Sequence, residues 1–305
     1  MENENEFYWL KDYVNTNSNY YQSKSGYIYS FVFAFEKKFF NETIAAMKMK
    51  ETSEYYYLGF YYALLYVALL FGSQKLMEKR EKFQLRTALI AWNLVLAAFS
   101  ITGSLRLWPE FIYVLQTKGL RHSYCSKDYL FGVTGGWGAL FVVSKLPELL
   151  DTFFIVARKQ KLIFLHWYHH FTVLIYAVFS AKDFAGSGRW FCLMNFTVHA
   201  FMYSYYAFKA LRFKIPKWVN IVLTTAQIVQ MVIGVLINLS AYRIKSRGEY
   251  CEISDENLQG SFVIYATYLV LFSNFFFRTY LQNKSEKKKS LQRQITQNGN
   301  GHVYH

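Results

Sequence analysis

Lys145, Glu148 and Asp151 recur at helical spacing, with Thr152 beside the last, and His166, His169 and His170 follow at i, i+3 and i+4 in otherwise apolar sequence. Each set occupies one face of its helix. A charged side chain at the middle of a bilayer costs about 2.5–3.5 kcal/mol on insertion scales unless it is paired or lines a wet cavity, which makes these residues candidates for chemistry. Imidazole offers three roles: proton acceptor, acyl-carrying nucleophile, or metal ligand.

Two later apolar runs add to the same interior. One carries Asn195 and His199 at i, i+4, with Met202, Tyr203, Tyr205 and Tyr206 on the following turns, and the next carries Thr224, Gln227 and Gln230 at every third residue. Taken singly, Thr224, Gln230 and Asn195 also fit simple hydrogen bonding between helices, at about 0.6–2 kcal/mol each. Taken together, four consecutive runs turn polar groups toward one chamber open to cytosolic substrate. HxxHH also invites a metal, and three or four ligands suffice for zinc. However, only His166, His169, His170 and His199 lie in apolar runs, fewer than a membrane di-iron oxidase with several histidine boxes would use. A receptor with seven spans is the non-enzyme alternative, but it has no need of imidazoles beside paired carboxylates.

The elements that must position these groups are membrane helices. The 305 residues are 53% hydrophobic and 20% aromatic, and the apolar load is gathered into runs. The net charge of +14 lies in short loops and the tail, so nucleic acid is not expected as a partner. Expected spans run from residue 56 to about 72, 85 to 107, 130 to 156, 162 to 181, 190 to 211, 218 to 241 and 261 to 280. Each is near the roughly twenty residues that cross a hydrocarbon core. Pro147 inside the third is expected to bend it and free backbone groups.

Dense Lys and Arg follow spans one, three and five and fill the tail, which puts the C-terminus in the cytosol and the N-terminus on the other side. No signal-peptide core is visible in the first forty residues, so the first span itself directs insertion. Asn41, in an Asn-Glu-Thr sequon, is then a candidate glycosylation site on the non-cytosolic side. The expected organisation is a polar segment over 1–55 lying at the membrane face, an all-α seven-span unit over 56–281 with spans two to seven around an enclosed cavity, and a disordered basic tail over 282–305.

KLPELLDT fits a KxxExxDT box, HWYHH an HxxHH box, NFTVHAFMYSYY an NxxxHxxMYxYY box and TTAQIVQ a TxxQxxQ box. With four boxes in this order, over roughly residues 56 to 280, the chain resembles the very-long-chain fatty-acid elongases of the endoplasmic reticulum. RKQKLIFLHWYHH, with Trp167 inside the box, is more similar to members that extend saturated and monounsaturated chains of palmitoyl length. The chain departs from many members at its end, GNGHVYH, where they carry a lysine-based retrieval signal.

The resemblance implies condensation of a long-chain acyl-CoA with malonyl-CoA to a 3-oxoacyl-CoA two carbons longer, with release of carbon dioxide and CoA. No cofactor or metal is implied. The implied partners are membrane lipid and the 3-oxoacyl-CoA reductase, dehydratase and enoyl-CoA reductase of the elongation cycle. The boxes hold no Cys, so His169 is the expected acyl acceptor, with His170 or His166 orienting it or taking its proton. His199 is expected to activate or hold malonyl-CoA, Gln227 and Asn195 to donate to the thioester and enolate oxygens, and Tyr203, Tyr206 and Gln230 to line the substrate site. Lys145 is expected to neutralise Glu148 or Asp151, or to meet a CoA phosphate. The acyl chain is expected to run about 18 Å from His169 to the cavity's closure near Lys182. Cys125 and Cys251 fall in loops that the charge pattern puts on one, oxidising side, and a disulfide between them is expected, with Cys192 left as a buried thiol.

Overall fold

The structure, a computed structural model, describes residues 23–40 and 56–282. Its regular elements are α1 (Ala34–Phe39), α2 (Tyr57–Glu78), α3 (Arg86–Thr117), α4 (Gly119–Cys125), α5 (Gly132–Ser144), α6 (Leu150–Ala157), α7 (Phe164–Asp183), α8 (Gly188–Ala210), α9 (Lys217–Ser246) and α10 (Asp255–Phe276). Single 3-10 turns at Asp128–Leu130 and Pro147–Leu149 and a π turn at Phe277–Gln282 join them. Among the described residues, α2, α3, α9 and α10 with its π extension are long and apolar enough to cross a membrane. The described residues therefore form an all-helical membrane fold. The rods α5–α6, α7 and α8 fall short of that measure because one is broken and the other two carry the titratable residues of the boxes.

Helix ends extend past the apolar runs that predict them. α3 continues beyond Leu107 to Thr117, and α10 begins at Asp255. Hydropathy marks only the part of a helix that suits hydrocarbon, whereas local caps decide where it starts. The Ser254 hydroxyl accepts the Asn257 N–H at 3.1 Å, with Asp255 and Glu256 in the positive first turn. The third run, expected to bend at Pro147, is broken into α5 and α6 at that residue.

α8 packs along α3, where Gly103 lets the helices close: a Cβ there would lie 2.7 Å from the Phe196 ring. α10 packs along α9, and α2 lies against α6 and α7. One end of the bundle is clamped three ways. Cys125 and Cys251 are joined in a disulfide, with Cα atoms 4.5 Å apart. Arg189, fully buried, bonds Glu110 at 3.1 Å, Asp128 and the Ser123 carbonyl. Residues 23–40 form the third clamp. Glu36 is buried between Arg106 at 2.8 Å and the Trp137 indole N–H at 2.7 Å, and it caps its own helix through the Phe33 N–H.

Candidate active site

The break in the third rod builds the first half of the site. Lys145, Leu146 and Leu149 each bond three residues back, to Val142, Val143 and Leu146, and Pro147 opens the 3-10 turn. In that geometry residues i and i+3 eclipse. Lys145 and Glu148 are thereby stacked and buried, with Nζ at 2.8 and 3.0 Å from the two carboxylate oxygens. Nζ also donates to Asn195 Oδ1 at 3.0 Å, so the Asn195 amide nitrogen turns to His199 Nε2 at 3.2 Å. An ammonium can only donate, and this order obliges His199 to accept at Nε2 and carry its proton on Nδ1, which faces Glu148 at 3.9 Å.

Asp151 belongs to a different pair of partners. Its oxygens accept from the Trp92 indole at 2.7 Å and the Tyr203 hydroxyl at 2.8 Å, so Lys145 neutralises Glu148 and not Asp151. Thr152 bridges Tyr66 at 2.8 Å and His166 Nε2 at 3.0 Å. The His166 ring then sits 4.5 Å from that of His170, whose buried Nδ1 has no hydrogen-bond partner among the described residues. His169 points elsewhere. Its ring packs 4.9 Å from Tyr268 and makes no side-chain hydrogen bond among the described residues. Tyr268 in turn is held by Thr172 at 2.6 Å and donates to the His169 carbonyl at 3.3 Å.

His169 opens into a cavity of about 180 Å³. Its polar end holds His169, Asn195 and Gln230; beyond lie Val173, Ala177 and Ala181 of α7, Phe191 and Cys192 of α8, and Tyr265 of α10. The far end reaches Tyr129, Leu130, Phe184 and Gly188, beneath the clamped end of the bundle. His169, Val173, Tyr176, Ala177, Ser180 and Ala181 recur at helical spacing, so a single face of α7 lines its whole length. An imidazole at the head of an apolar slot suits a long hydrocarbon with a polar end. Among the described residues, no three His, Cys, Asp or Glu side chains are arranged to hold a metal ion.

Residues 51–288 match the model of the ELO (GNS1/SUR4) family. The chain belongs to this family. It is 51% identical over 225 residues to a putative fatty acid elongase 3 of Caenorhabditis elegans, covering 73% of this chain and 70% of that one. Very long chain fatty acid elongase 6 of Drosophila melanogaster is 47% identical over 267 residues, 86% of this chain and 83% of the fly protein. The human protein of the same name is 44% identical over 259 residues, 85% of this chain and 96% of its own. This is a membrane protein of fatty-acid elongation.

In this ELO-family chain the structure brings together Lys145, Glu148, Asn195 and His199, and separately Asp151 with Tyr203, and His166 with His170. It does not bring Gln227 to the cavity: that amide donates to Met202 Sδ at 3.5 Å, and Gln230 takes the cavity-lining position. Tyr206 is 44% exposed and stands apart from the network. Thr224 pairs with Tyr280 at 3.2 Å. Cys192 is a buried free thiol in the cavity wall, and Asn41 lies outside the described residues. Sequence reading missed Tyr66, Trp92, Glu110, Arg189 and Tyr268. Glu110 and Arg189 fall just outside the expected apolar runs, where a charge is ordinary, and an aromatic in a membrane helix carries no signal either.

Proposed function

We propose that the protein condenses a long-chain acyl-CoA with malonyl-CoA in the endoplasmic reticulum membrane, giving a 3-oxoacyl-CoA two carbons longer. The observation that carries this reading is the cavity, with His169 free of side-chain hydrogen bonds at its polar head and an apolar slot behind it. His169 attacks the thioester carbonyl, the C–S bond breaks, and CoA leaves with the proton. Malonyl-CoA then loses carbon dioxide, its enolate carbon attacks the acyl-imidazole and breaks the C–N bond, and a proton from water returns to the freed nitrogen and restores His169. Gln230, at the head of the slot, is the donor to the thioester oxygen in place of Gln227, a contact worth about 3 kcal/mol in comparable oxyanion sites. His199, oriented by Lys145 through Asn195, is the residue that holds or activates malonyl-CoA.

In this reading the seven rods all span, the boxes sit toward the cytosol and the disulfide-bearing end faces the lumen. The catalytic unit is 56–281, the tail is cytosolic, and the product passes to the reductase, dehydratase and enoyl-CoA reductase of the cycle. Purified protein given labelled malonyl-CoA and an acyl-CoA panel is expected to form labelled 3-oxoacyl-CoA, with the best turnover near palmitoyl length. His169→Ala is expected to abolish turnover while keeping a monodisperse fold. Intact mass after acyl-CoA alone is expected to show one acyl adduct, and an unmodified mass in an active preparation would point instead to a one-step ternary reaction.

A further inference from the structure

Four glycines crowd the first turns of α5, and three have plain backbone or packing reasons. Gly132 has a positive φ of 63°; a Cβ on Gly135 would lie 1.9 Å from the Leu130 carbonyl oxygen, and one on Gly136 would lie 2.1 Å from the Phe40 ring. Gly138 has neither reason. Among the described residues, no heavy atom beyond its own chain neighbours and helix backbone lies within 4 Å of the place its Cβ would occupy, and its backbone is ordinary helix. Glycine in a helix interior is less stable than alanine there, so this position bears a cost without a packing return inside the bundle.

The space beside Gly138 belongs to the cavity. Gly138 lines it, as do Phe141 and Val142 at i+3 and i+4, and Lys145 at i+7 closes the same helix face at the polar cluster. Gly138 is six residues from Gly132, beside the far end, and seven from Lys145, or about 10 Å at 1.5 Å per residue. It therefore stands about halfway down the slot. We infer that Gly138 is a specificity-determining residue that sets the breadth of the acyl channel at mid-depth and admits chains long enough to pass it. The inference rests on the condensation reading for its substrate and names which wall position selects among chains.

Gly138→Leu places a branched side chain in the slot without a backbone clash and improves the local helix. The wild type, Gly138→Leu and Gly72→Leu are compared in nanodiscs. Gly72 also has open space at its Cβ but lies on the exposed surface of α2, so it controls for helix propensity. Two readouts are taken on each, turnover with malonyl-CoA and thermal stabilisation by hexadecanoyl-CoA and by octanoyl-CoA. Gly138→Leu is expected to lower the preference for hexadecanoyl over octanoyl chains by about tenfold or more, the scale of discrimination by hydrophobic pockets. Gly72→Leu is expected to leave it unchanged.

An unchanged preference in Gly138→Leu, or an equal shift in Gly72→Leu, would overturn the assignment. If the wild type binds acyl-CoA but forms no product, the condensation reading fails while the binding preference still decides the role of Gly138. Absence of binding by the wild type overturns both.

Discussion

At the residue scale the site is ordered by which groups can only donate. Lys145 must donate, which turns the Asn195 oxygen toward it and fixes the tautomer of His199 one bond further on. Its pairing with Glu148 is buried, and removing one member of a buried pair typically costs about 3–5 kcal/mol because the other is left uncompensated. Lys145→Met is therefore expected to lower the melting temperature sharply in detergent. The double variant Lys145→Met/Glu148→Gln is expected to recover most of that loss and little turnover, because Asn195 loses its orienting donor; full activity in the double variant would reduce the pair to a structural role. Asp128, in the loop before α5, is a separate case. Burial raises its carboxyl, but Arg189, His122 and Lys118 more than offset this and hold it well below the ordinary carboxylate range. A depressed folded pKa adds stability above the unfolded value, about 3.9, and that stability is lost as pH falls toward the folded one. Asp128→Asn is expected to lower the melting temperature at neutral pH and to flatten its fall on the acid side, and parallel acid limbs for the two proteins would remove this account.

At the scale of elements, the 3-10 turn between α5 and α6 is what makes a box into a site. In a continuous α-helix of 3.6 residues per turn, Lys145 and Glu148 would lie roughly 60° apart around the axis, whereas three residues per turn eclipse them. Proline cannot donate a backbone bond and so favours the break. Pro147→Ala is expected to let α5 run into α6, to lower turnover by about tenfold or more, and to leave helix content by circular dichroism essentially unchanged. The factor matches the loss that small misplacements of catalytic groups cause. A fully active Pro147→Ala would show that the surrounding contacts, and not the proline, hold the turn.

For the whole molecule, the decisive feature is that one end of the bundle is closed and the other carries the boxes. The disulfide closes a loop of 126 residues, the Arg189 network ties α3 and α8 to the loop before α5, and Glu36 draws residues 23–40 onto α3 and α5. In the chain-entropy view a bridge of that span stabilises by about 4–5 kcal/mol, less where membrane insertion already restricts the chain. Cys125→Ser is expected to lower the melting temperature and to open the far end of the cavity, so that products lengthen or spread. Peptide mapping without reduction is expected to recover the linked pair, and finding both cysteines alkylated would remove the bridge.

The sequence by itself determined the membrane class, the family and the two sets of residues that face inward, because helical spacing and the cost of charge in hydrocarbon are local properties. Its order of boxes was enough to bring His169, Asn195 and Gln230 to the same chamber in expectation. Only the tertiary structure decided which partner each group takes: Lys145 with Glu148, Asp151 with Trp92 and Tyr203, Gln230 at the cavity in place of Gln227. Three-residue periodicity puts Gln227 and Gln230 on one side of α9, about 60° apart around its axis, and the choice between them depends on how α9 is rotated against α8 and α10. That rotation is set by distant packing, such as Gly234 beneath the Tyr265 ring, and no local pattern encodes it.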